Sequence, residues 1–201
     1  TTGTQNIGIG TATLENTDTG SHNVAIGRWS ARYNESGSRN ISIGCNSLLG
    51  NTTGDDNIAL GHSALCGALS GTNNFAVGQN ALKNNWGGCD NVAFGRCALL
   101  NNTTGERNFA AGYLALCSNI TGQSNIGIGY SALNKNTTGN FNTGLGYSVL
   151  SKNTDGDYNF AAGAETLYEN TTGCYNTAIG YIAMQKNTTG RSNIGLGYTA
   201  L

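Results

Sequence analysis

Proline is absent from the 201 residues, which excludes proline-rich linkers and the collagen triple helix. Charge is scarce as well: 10% of residues are charged, against roughly 25% in ordinary globular chains. The formal net charge is −1. No basic excess exists to displace counterions from phosphates, so nucleic acid is not an expected partner. Low charge also argues against disorder, which goes with high net charge and few β-branched or aromatic residues. No apolar run approaches the roughly 18 residues of a membrane-spanning helix, so membrane insertion is not expected. The chain opens Thr1-Thr2-Gly3 with no initiator methionine or signal peptide and reads as a mature product or an excised segment.

What is present is glycine, 31 residues, about twice the usual share, and a repeat that accounts for it. Asparagine recurs at Asn6, Asn23, Asn40, Asn57, Asn74, Asn91, Asn108, Asn125, Asn142, Asn159, Asn176 and Asn193, always 17 residues apart. Counting from that Asn as position 0, positions 4 and 14 are glycine in every unit, Gly10 to Gly197 and Gly20 to Gly190. Position 8 is Leu except for Ala31 and Met184. The consensus is N-[IVF]-[AG]-[ILV]-G-x-x-[AS]-L-x-x-N-T-T-G-x-x. Residues 1–201 therefore form one domain, an array.

A 17-residue unit is too short for a helix pair, and two fixed glycines would break each helix. Positions 1 and 3 alternate as in a short strand bounded by Asn and Gly. The pattern predicts an all-β, single-domain parallel β-solenoid of twelve coils. Each coil would hold a strand, a glycine corner, a second short strand near positions 6–9 and an N-T-T-G turn. Stacked at ~4.8 Å, twelve coils give a rod of roughly 57 Å. The missing proline fits, because stacked backbones donate nearly every N–H to the next coil. Positions 1, 3 and 8, such as Ile7, Ile9 and Leu14, are expected inside as aliphatic ladders. Position 2, always Gly, Ala or Ser, is then an outer stripe, either approached by a partner chain or easing a tight bend. The position-0 asparagines are expected to form a structural side-chain ladder.

The strings N-V-A-I-G at Asn23–Gly27 and N-I-A-L-G at Asn57–Gly61 resemble the coils of trimeric autotransporter adhesin heads. The longer unit Asn176–Gly190 is similar to arrays in tail-fibre-like proteins. The resemblance covers the whole chain and implies a left-handed parallel β-roll, homotrimeric assembly, and a rigid extracellular spacer or adhesive fibre. It implies no catalytic residue. The coil is longer here, 17 residues, than in the adhesin heads.

No catalytic, cofactor-binding or metal-ligating set emerges, and an enzyme is not expected. His22 and His62 have no Cys or carboxylate recurring at ligand spacing. Asp55, Asp56, Asp155 and Asp157 are sporadic, unlike the Asp of calcium-binding solenoids, and read as solvated turns. Strings such as Gly8-Ile9-Gly10 lack the helix that a dinucleotide loop requires. No base and orienter can be named for a serine nucleophile.

Six cysteines lean towards an oxidising setting outside the cell. Cys45 with Cys66, and Cys97 with Cys117, lie on consecutive coils and are disulfide candidates. Cys89 and Cys174 share position 15 but stand five coils apart, so they are free or link chains. Sequons cluster at position 11: Asn34, Asn51, Asn102, Asn119, Asn136, Asn170 and Asn187, with Asn40 and Asn101 elsewhere. A surface turn there would accommodate glycans, or N-T-T-G is simply good turn chemistry.

The first expectation is a structural subunit of an extracellular or cell- or virion-surface fibre. It would be a rigid rod that carries glycans if the sequons are used, needs no cofactor, and has itself as partner, end to end or as a homotrimer. The alternative is a tail-fibre-like adhesin for a surface glycan, with Tyr113, Tyr130, Tyr147, Tyr181 and Tyr198 at position 5 as its sugar-binding column. Ice binding would want Thr on a strand face; here Thr clusters in the turn.

Overall fold

The computed structural model describes residues 2–67 and 70–201; Thr1, part of the T-T-G start, lies outside them. Twelve three-residue strands, β1 (Ile7–Ile9) to β12 (Ile194–Leu196), occupy positions 1–3 of successive units and form one sheet in sequence order. All pairings are parallel, and each residue faces the one 17 later, as Ile126 faces Thr143. Among the described residues there is no helix. The chain is a parallel β-solenoid.

Coil-to-coil hydrogen bonds run far beyond the strands. Ile126 N–H donates to Asn142 O at 2.8 Å, Ser131 N–H to Tyr113 O at 2.9 Å and Leu133 N–H to Val149 O at 2.9 Å. A proline at any of these positions would delete a donor, which accounts for its absence.

The expected second strand does not form; positions 5–10 are turn. The cause is backbone handedness. Positions 6, 8 and 16 have φ near +50° to +60° throughout, as at Leu114 (58°), Leu116 (50°) and Ser124 (55°). Left-handed residues cannot continue an extended strand. Each costs about 1–2 kcal/mol when not glycine, offset here by the inter-coil bonds made on either side.

The interior also differs from the expectation. Position 8 is inside: Leu48, Leu65, Leu82, Leu99, Leu116, Leu133, Leu150 and Leu167 are fully buried. Positions 1 and 3 are not. Ile9 is 59% exposed and Ile128 41%, whereas the small position-2 residues Ala25, Ala59, Ala93, Ala110 and Ala178 are at 0%. Alternation places 1 and 3 on one face and 2 on the other, but the width of the coil decides which face points in. The interior holds the position-7 and position-8 side chains directly opposite position 2. A Cβ added at Gly144 would sit 3.1 Å from Val149 Cγ1 and 3.4 Å from Leu133 Cγ. No second branched side chain fits.

That contact is a matched pair, Val149 and Gly144 each standing where most coils have Ala. Gly144→Ala is expected to lower the denaturation midpoint by about 1–2 kcal/mol of stability through overpacking. Val149→Ala in the same chain should restore most of it, as a double-mutant cycle in urea would show. Simple additivity would contradict the packing.

Candidate functional surfaces

Inside the rod, polar ladders fill the corners. Asn125 donates its backbone N–H to Asn108 Oδ1 at 3.0 Å and its Nδ2 to the same oxygen at 3.2 Å and to Gly139 O at 2.8 Å. The motif recurs from Asn23 to Asn193, so the position-0 asparagines form the expected ladder. Identical amides stacked in register satisfy one another with no water.

The position-11 asparagines form a second ladder, and here the expected surface turn gives way. Asn34, Asn51, Asn102, Asn119, Asn136 and Asn170 are at 0% exposure, with Asn187 half-buried near the end of the rod. Asn119 Nδ2 donates to Asn102 Oδ1 at 2.7 Å and to Gly122 O at 2.9 Å. In the folded rod these side-chain nitrogens are enclosed and spent on the ladder's own bonds. The physical reason is the close return of the N-T-T-G turn, whose carbonyls need internal donors once sealed from water. Among the described residues three buried side-chain oxygens lack partners, Thr17 Oγ1, Asn46 Oδ1 and Asn51 Oδ1; Thr17 stands in this column where the next coil has Asn34.

A third ladder, at position 15, was not anticipated. At its Ser, Asp, Asn and Cys units the side chain accepts the backbone N–H of the same position one coil earlier. Ser38 N–H donates to Asp55 Oδ1 at 2.7 Å, and Asn140 N–H to Asp157 Oδ1 at 2.7 Å. Cys89 accepts from Thr72 N–H at 3.4 Å and Cys174 from Asp157 N–H at 3.3 Å. Both sulfurs are weak acceptors serving as rungs of this ladder, which the mixture of Ser, Asp, Asn and Cys at position 15 disguised in the sequence.

All six cysteines are free thiols; neither Cys45–Cys66 nor Cys97–Cys117 is bridged. Burial pushes the Cys117 thiol up to about 11, with the neighbouring Cys97 thiolate adding to it. Burial likewise raises Cys66, partly opposed by Lys83. Near neutral pH these two sulfurs are protonated and poor nucleophiles for disulfide exchange. Among the described residues no group of three or more His, Cys, Asp or Glu stands close enough to hold a metal ion.

Outside, three features stand in line. The first is the outward sheet face, positions 1 and 3, which bears no charged residue in any coil and leaves Ile41, Ile43, Ile126, Ile128, Ile194 and Leu196 exposed. The second is the position-5 tyrosine column: Tyr130 and Tyr147 stack at 5.2 Å, and Tyr181 and Tyr198 at 5.4 Å. Their ring faces cover one another, so the column shows solvent mainly edges. The third, not anticipated, is at position 16, where Phe141, Tyr158 and Tyr175 stack at 4.9 and 5.0 Å. Both aromatic columns lie in the C-terminal half, and the matching N-terminal positions carry Arg28, His62, Arg39 and Asp56 instead.

Compared with family models, with curated proteins and with solved structures, the chain matches none.

Proposed function

We propose that the chain is a structural rod, a module of an extracellular fibre, whose copies pack side by side through the outward sheet face. The uncharged, exposed stripe at positions 1 and 3 carries this reading. Three residues of strand across and twelve coils long, it covers roughly 10 by 57 Å, or about 570 Å². That is at the upper end of the apolar patches monomers tolerate and, with the flanking aromatic columns, approaches the ~800 Å² per partner of a stable interface. Its ridges repeat with every coil, so a second copy of the same rod matches them along the whole length. Stiffness follows from the position-0 ladder, which runs unbroken from Asn6 to Asn193.

The glycan-adhesin reading draws less support. Sugar stacking needs exposed ring faces, and both faces of Tyr130 and one face each of Tyr113 and Tyr147 are turned to neighbouring rings.

Sedimentation equilibrium tests the proposal. The natural chain should assemble, whereas Ile43→Glu with Ile128→Glu should give monomers with an unchanged far-UV spectrum, since both side chains face outward. A natural chain that stays monomeric at high concentration, or a double variant that assembles equally well, would refute lateral packing.

A further inference from the structure

The position-5 column is broken once between its tyrosines, at Ala164. We propose that this gap is a notch for a guanidinium group, the arginine side chain of a polypeptide partner. It would be held between the facing rings of Tyr147 and Tyr181 and beside the carboxylate of Glu165.

The geometry follows from the coil rise. Tyr147 and Tyr181 are two coils apart, roughly 9.6 Å along the axis. A flat group midway stands about 4.8 Å from each ring, close to the 5.2 and 5.4 Å at which the column's own rings stack. Ala164, half-buried, places no atom beyond its Cβ in that plane. The stack ends of this column already accept a guanidinium: Arg96, one coil before Tyr113, lies over its ring at 5.7 Å. At Ala164 two such ends face each other, where Arg96 has one.

Charge then selects among flat groups. Glu165 directly follows Ala164, and its carboxylate accepts a hydrogen bond from the neutral amide of Gln185 at 2.8 Å. Among the described residues it is in none of the ion pairs. Position-5 and position-6 side chains meet elsewhere on the rod, Arg28 lying over Trp29 at 3.8 Å. A neutral aromatic ring would draw nothing from the carboxylate, and an ammonium is not flat. A guanidinium satisfies both faces and the charge.

The test is a titration with N-acetyl-arginine amide, followed by tyrosine ring NMR shifts, with N-acetyl-lysine amide and a methyl pyranoside alongside. The natural chain should saturate with the arginine compound, with shifts centred on Tyr147 and Tyr181, and bind the lysine compound more weakly. Ala164→Tyr fills the notch. It should reduce arginine binding at least about tenfold while raising the melting temperature, because the stack becomes continuous. Tyr181→Ala, which removes one wall without touching the core, should also lose binding. The proposal fails if the natural chain shows no saturable arginine binding, if Ala164→Tyr or Tyr181→Ala binds as well as the natural chain, or if the pyranoside is the compound bound and lost.

Discussion

Gly95→Ala is expected to lose at least about 3 kcal/mol of stability and to break the array at that coil. Two penalties coincide. Gly95 has φ +122°, and its added Cβ would stand 2.7 Å from Gly112 O, one coil on. That φ lies outside even the left-handed well that positions 6, 8 and 16 occupy, so an L side chain is strained there regardless of space. The carbonyl it meets is backbone, held by its own neighbour, and cannot move aside without shifting the whole stack. The same clash recurs up the column, as at Gly61 and Gly78, so the glycine column at position 4 is a requirement of coil contact. Gly87→Ala supplies the control: its Cβ would meet only Ser70 Oγ at 3.7 Å and should be neutral or slightly stabilising. Urea denaturation of both variants decides the matter, and equal midpoints would contradict the steric account.

The second large effect is expected at the centre of the position-0 ladder. Asn125→Ala removes the acceptor for Asn142 N–H and Nδ2, at 2.9 and 3.2 Å, together with the donor to Gly139 O. Each buried group left unpaired costs about 1–3 kcal/mol, so a loss of roughly 3–5 kcal/mol is expected. Asn125→Asp is nearly the same shape and separates hydrogen bonding from packing. Its carboxylate would face Gly139 O and Asn108 Oδ1 without a donor to offer. Burial without a cation raises such a carboxyl in the folded state above its unfolded value near ~3.9. Stability is then highest below that value and falls as pH rises through the folded one. Denaturation midpoints of Asn125→Asp at acid and neutral pH check the sign; a midpoint independent of pH would show that the site is open to water.

The strand, corner-glycine and position-0 columns are legible from the repeat; column direction is not. The strand at positions 1–3, the corner glycines and the Asn ladder at position 0 all follow from spacing alone. Direction was misread because bulky residues usually mark a core, and here the coil is too thin to hold them. The sequence carried a subtler signal. Position 2 never exceeds Ser, whereas positions 1 and 3 range from Thr or Ala to Phe. Uniform smallness marks confinement, and tolerance of size marks an open face. The N-T-T-G turn misled similarly: its Asn reads as a surface acceptor until the return of the chain seals it inside. The position-15 ladder has little sequence signal, because Ser, Asp, Asn and Cys all accept a hydrogen bond and share nothing else.

The 17-residue period by itself determined that this chain is a parallel β-solenoid without proline. Identical units at fixed spacing bury their edges only by stacking in register, and every stacked N–H must be present. Only the tertiary structure decided that the aliphatic residues of the strand face outward and that both asparagine columns lie within. The physical reason is the interior width, fixed by how the turns with left-handed residues at positions 6, 8 and 16 bring the chain back on itself, at which the uniform smallness of position 2 only hints.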